Sequence, residues 1–69
     1  MTDLKLLEAK IKESGKKKVY LAKKIGLTYA SFRNCCLNKS EFRTGQVKIL
    51  CEELNIDSLE EKQAIFFAD

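Results

Sequence analysis

The stretch from Lys18 to Leu37 constrains the fold more than any other part of the chain. Leu21, Ala22 and Ile25 share one face at helical spacing, and Gly26 follows them. Glycine takes a positive φ without steric cost and so ends a helix there. Beyond it Leu27 is apolar, Thr28 can accept a free amide of a new first turn, and Phe32, Cys35 and Cys36 again recur at helical spacing. The spacing predicts a second helix from Tyr29 to about Leu37, starting about three residues after the first one ends. Two short helices joined so closely cannot run antiparallel. They cross steeply, the residue at the crossing has to be small, and Ala22 is placed there.

A glycine in the turn, an alanine four residues before it, an apolar residue on each side of the glycine and Phe32 six residues after it make the helix-turn-helix pattern. On these residues the chain resembles the Cro and repressor family of phage and bacterial DNA-binding domains. The resemblance covers nearly the whole chain, because Phe42, Val47, Leu50, Cys51, Leu54 and Ile56 fall where that family places its later core residues. It implies an all-α fold, a compact lambda-repressor-like bundle of five short helices with the helix-turn-helix formed by helices 2 and 3.

Length and charge agree with that expectation. The chain's 69 residues leave room for one domain, residues 1–69, with no linker to a second. A chain this small buries only about 60% of its unfolded surface, and its core supplies no more than roughly 3–5 kcal/mol, so self-association is a plausible addition. Residues 1–43 hold eleven Lys or Arg against four Asp or Glu, a net +7, whereas residues 44–69 hold two against six, a net −4. A basic front that includes the two-helix motif suits phosphate neutralisation, and an acidic tail belongs away from a nucleic acid. The plainer reading of the same lysines is that they solvate helical faces.

Three cysteines, two of them adjacent at Cys35 and Cys36, do not make a disulfide framework, and all three lie on apolar stripes. They are expected to be reduced and buried. With no Cys-x-x-Cys pair and no histidine, no metal site is expected, and no cofactor. No apolar leader or bilayer-length run occurs, so a cytoplasmic protein, nucleoid-associated in a bacterial cell, is expected, without membrane or small-molecule partners.

In chain order, Asp3 or Thr2 caps a first helix to about Ser14, with Leu4, Leu7 and Ile11 inward and Lys5, Glu8 and Lys12 outward. Leu6 lies off the stripe, at the rim of the core or at a contact with another chain. Gly15 ends the helix. Of Val19 and Tyr20, one is expected to pack on the first helix. Thr44 is expected to cap a fourth helix to about Asn55, and Ser58-Leu-Glu-Glu61 has the form of a capping box opening a fifth. The apolar end Ala64–Ala68 either covers its own core or contributes a dimer contact through Ile65, Phe66 or Phe67.

If Phe32 and Cys35 point inward, the second motif helix carries Tyr29, Ala30, Arg33 and Asn34 on its outer faces. These residue types suit base reading: Asn pairs with the major-groove groups of adenine, Arg with guanine or phosphate, and Ala with a thymine methyl. By resemblance Tyr29, Ala30 and Asn34 hold the positions that most often reach base edges, with Arg33, Thr28 and Ser31 flanking them. The resemblance also puts Lys18, at the start of the first motif helix, against a DNA phosphate, with Lys17 beside it; a helix N-terminus adds free amides and a positive dipole end. Lys39, Ser40 and Arg43 are backbone candidates from the loop after the recognition helix, which is pinned to the core by Phe42.

The function expected from these features is a sequence-specific binder of a double-stranded DNA operator, a Cro-like phage or prophage repressor acting as a homodimer that is weak or formed on DNA. An alternative is a helical protein-interaction module, an antitoxin or a phage factor, using the acidic, aromatic C-terminal surface. An enzyme is not expected. The chain offers no nucleophile with a matching base and no glycine-rich phosphate loop.

Overall fold

The computed structural model describes residues 1–69, in five helices and no strand: α1 Leu4–Ser14, α2 Lys18–Lys24, α3 Tyr29–Cys36, α4 Thr44–Glu53 and α5 Leu59–Phe66. The all-α bundle of five short helices that the resemblance implies is present. Asp3 caps α1 by accepting the Leu6 N–H at 3.1 Å, and Thr28 caps α3 by accepting the Ser31 N–H at 3.1 Å.

Three helices end on the same device. After α2, Gly26 takes φ +75° and the Leu27 N–H reaches back to the Ala22 carbonyl at 2.9 Å. Asn38 (φ +63°) and Asn55 (φ +56°) repeat this after α3 and α4, with Lys39 donating to Asn34 at 2.9 Å and Ile56 to Cys51 at 2.8 Å. Each closes a Schellman-type end, which needs one residue in the left-handed region. Asparagine tolerates that region better than other non-glycine residues.

Several boundaries differ from the sequence expectation. Arg43, not Thr44, occupies the cap position of α4, because the Gln46 Oε1 accepts the Arg43 N–H at 2.9 Å and sets the start one residue earlier. α4 gives up its helical bonding at Glu53 rather than Asn55, since Asn55 is the left-handed residue. At α5 only half of the expected box forms: Ser58 accepts the Glu61 N–H at 3.0 Å, while the Glu61 carboxylate turns to Lys10 at 2.9 Å. Val19 and Tyr20 are both exposed rather than one packing on α1, and the Tyr20 hydroxyl donates to Glu53 on α4 at 2.9 Å.

Packing follows the apolar stripes. α1 lies against α5, and α2 against α3 and α4. Leu7, Leu21, Phe32 and Leu50 are fully buried at the centre of one continuous core. The loop residue Phe42 stands edge-on to Phe32 and Phe66, both with ring centroids 5.9 Å away, the geometry that aromatic quadrupoles favour. Ile65 and Phe66 are spent on this core, at 2% and 5% exposure, so neither is free as a dimer contact; Phe67 is 55% exposed. All three cysteines are buried free thiols. Burial pushes each thiol up from its ordinary range, Cys36 to about 11, so none is a ready nucleophile near neutral pH.

The N-terminal segment is tied at both sides. The Asn38 side-chain amide accepts the Thr2 N–H at 2.8 Å and donates to the Thr2 carbonyl at 2.9 Å. The Asp3 N–H reaches Ile65 at 2.7 Å, and the Ala68 N–H reaches Met1 at 2.8 Å. The end of α3 and the end of α5 are thus joined through residues 1–3. No helix is long and apolar enough to cross a membrane.

Candidate nucleic-acid interface

α3 is two-faced. Phe32, Cys35 and Cys36 are buried, and Tyr29, Ala30, Ser31, Arg33 and Asn34 are exposed. None of the Tyr29, Arg33 or Asn34 side chains makes a hydrogen bond or ion pair within the chain. Their donors and acceptors are therefore available to an external partner. At the N-terminus of the helix the Thr28 hydroxyl donates to Ser31 Oγ at 3.1 Å while accepting the Ser31 N–H. That arrangement leaves the Ser31 hydroxyl hydrogen free to donate outward.

The loop after α3 is held to it. Both the Lys39 and Ser40 N–H groups bond the Asn34 carbonyl, at 2.9 and 3.3 Å, so these two residues move with the last turn of the helix. Arg43 is placed by Gln46, whose Nε2 also reaches the Ile25 carbonyl at 3.4 Å and so links the start of α4 to the end of α2. The Arg43 and Lys39 side chains are exposed and unpaired.

The lysine run before α2 is less uniform than its sequence. Lys16 is taken up by α4: its Nζ donates to the Glu53 carbonyl at 2.7 Å and the Glu53 carboxylate at 2.9 Å. A cation at a helix C-terminus is favourable there, and the bonds from Lys16 and Tyr20 hold the Glu53 carboxyl below its usual range. The ammonium groups of Lys16 and Lys24 both lie over the Tyr20 ring, 5.9 and 5.7 Å from its centroid. Lys17 is exposed and unpaired. Lys18, the first residue of α2, donates to the Glu8 carboxylate of α1 at 2.8 Å, and this hydrogen bond raises the Lys18 pKa.

Lys18, Tyr29 and Arg33 come together around a cavity of about 360 Å³ between α1, the start of α2 and α3. Leu4, Phe32, Cys36 and Leu37 form its apolar side, and Glu8 lines it as well. Sequence reasoning placed Glu8 among residues that merely face outward. Its approach to Lys18 is a contact between helices ten positions apart that helical spacing alone does not report.

Comparison of the chain with family models, curated proteins and solved structures returns no match. The chemistry of this face is what bears on function.

Proposed function

We propose that the chain is a sequence-specific double-stranded DNA-binding regulator, a Cro-like repressor of phage or prophage type that occupies an operator as a homodimer. The observation that carries this reading is the division of α3: one face is locked into the core, and the other offers Tyr29, Ala30, Arg33 and Asn34 outward with no partner in the chain. Lys18 lies beside Tyr29 and Arg33 at that face, and in the sequence Lys17 precedes the helix and Lys39 and Arg43 follow it. In this reading Asn34 and Ala30 read base edges, Tyr29 and Arg33 read bases or grip the groove edge, and Thr28, Ser31 and Ser40 join the lysines on phosphates.

Size argues for two copies. The Cα trace spans 28 × 24 × 21 Å, less than the roughly 34 Å that separates successive major-groove faces. One copy therefore reaches one half-site, too few base pairs for a specific operator.

The test is selection of randomised duplex DNA by the purified protein at near-physiological salt. Enrichment of an inverted repeat is the expected result, and its half-site spacing gives the distance between recognition helices. Weak binding that vanishes steeply with salt and enriches nothing would reduce the basic face to an electrostatic patch. A second reading, a protein-interaction module, is favoured by Leu59 and Phe67, 67% and 55% exposed on the acidic C-terminal part. Under that reading substitutions at Arg33 and Asn34 have no effect on partner binding.

A further inference from the structure

α2 carries apolar residues on two opposite sides. Leu21 and Ala22 enter the core, while Val19 and Tyr20, 55% and 42% exposed, stand on the outward half of the helix with Lys23 and Lys24. Val19 and Tyr20 line an open depression of about 430 Å³ together with Lys16, Lys17 and Lys23. Much of its surface is carbon, because the lysines contribute their stems as well as their charges.

The Tyr20 ring is held in place. Its hydroxyl donates to the Glu53 carboxylate at 2.9 Å, and the Lys16 and Lys24 ammonium groups lie over its face. Glu53 is occupied by Lys16 and Tyr20, and neither Lys23 nor Lys24 has an ion-pair partner in the chain. The depression therefore joins a fixed aromatic ring and an exposed valine to two unpaired cations.

That combination restricts the occupant. Unpaired ammonium groups suit carboxylates or phosphates, but a duplex backbone brings no apolar group for Val19 and Tyr20. A bilayer surface binds a helix through a broad apolar face, whereas α2 has seven residues and turns two large apolar side chains outward. An acidic polypeptide segment carrying a large apolar side chain satisfies both parts, and a pinned tyrosine is the kind of anchor that protein interfaces favour. We propose that the outward side of α2 is a docking surface for an acidic segment of another protein, with an apolar side chain against Val19 and Tyr20 and carboxylates on Lys23 and Lys24. The inference does not rest on the DNA-binding reading. Lys18, which lines the cavity beside α3, is two residues before Tyr20 and so about 200° away round the helix.

The experiment titrates the isotope-labelled full chain with a synthetic peptide, a Leu-Phe pair between two runs of Glu, and follows backbone amide shifts at near-physiological salt. Saturable shifts centred on Val19, Tyr20 and Lys23 are expected. Affinity is expected to exceed that for the same peptide with Ser-Ser in the centre by at least about tenfold, the lower end of what one buried Leu or Phe contributes. Val19→Ser is expected to remove most of that preference, and Lys23→Glu to weaken both peptides about three- to tenfold. Both positions are exposed, and the amide spectrum of each variant verifies its fold. Equal affinity for the two peptides, or shifts spread over lysines of the whole chain, reduces the patch to general electrostatics and overturns the proposal. Absence of binding at millimolar peptide overturns it as well. So does a scrambled duplex or an anionic phospholipid vesicle that engages Val19 and Tyr20 more tightly than the peptide, because the surface then belongs to nucleic acid or lipid.

Discussion

Asn34 and Lys17 are both exposed, polar and unpaired, yet the proposed DNA-binding reading gives them opposite kinds of contact. Asn34 lies in the last turn of α3, on a backbone fixed by its own carbonyl's bonds to Lys39 and Ser40, so in that reading its amide enters the groove from a fixed point. Such a side chain discriminates between bases, and Asn34→Ala is expected to cost about 1–3 kcal/mol on the selected operator and to relax preference at one position. Lys17 precedes α2 on an extended backbone and has a long flexible stem, which suits a phosphate and not a base. Lys17→Ala is expected to weaken all duplexes alike and to lower the salt slope by about one contact. Titration of both variants against matched and single-mismatch duplexes checks the division. Identical profiles for the two substitutions would show that α3 does not read sequence through Asn34. Of the lysine run, Lys17 is the member left unpaired; Lys16 and Lys18 have carboxylate partners on other helices. Spacing along one helix tells which residues share its face, but not which residue of another helix arrives opposite them.

At the scale of the helices, what was legible in the chain was local: Gly26 as a stop, Thr28 as a cap, and the stripes that put Leu7, Leu21, Phe32 and Leu50 inside. What escaped was decided by side chains from elsewhere. Gln46 moved the cap of α4 to Arg43, and Lys10 drew Glu61 out of its box. Asn38 shows both effects. Its left-handed backbone ends α3 as a glycine would, and its amide binds Thr2 in both directions, a contact across 36 residues. The two roles separate by substitution. Glycine keeps the backbone and loses the side-chain bonds, whereas alanine loses the bonds and strains the backbone by a further 1 kcal/mol or so. Asn38→Ala is therefore expected to destabilise by about 2–3 kcal/mol and Asn38→Gly by about 1 kcal/mol less, read as urea midpoints at constant slope. Equal losses would mean that the helix end is not what Asn38 contributes.

For the whole molecule, the proposed homodimer requires a contact surface outside the core. The core takes Ile65 and Phe66, and the large apolar side chains left outside include Met1, 69% exposed, and Phe67, 55% exposed, which line one groove with Phe42, Asn38 and Glu41. This groove lies where the ends of α3 and α5 are tied together through residues 1–3, so a contact made there is coupled to the position of α3 through a few hydrogen bonds. A two-fold dimer uses the same patch on both copies, and a residue near the axis acts twice. Burying one Phe side chain contributes about 1.5–3 kcal/mol, so a doubled loss weakens dimerisation by at least about a hundredfold. Phe67→Glu is accordingly expected to lower monomer stability modestly, since Phe67 is 55% exposed and caps the C-terminus of α5, while it shifts sedimentation equilibrium to monomer and turns cooperative filling of the inverted repeat into independent half-site binding. Retention of cooperativity by Phe67→Glu would put the dimer contact elsewhere, and Leu6 on the outer side of α1, 42% exposed, is the next residue to charge.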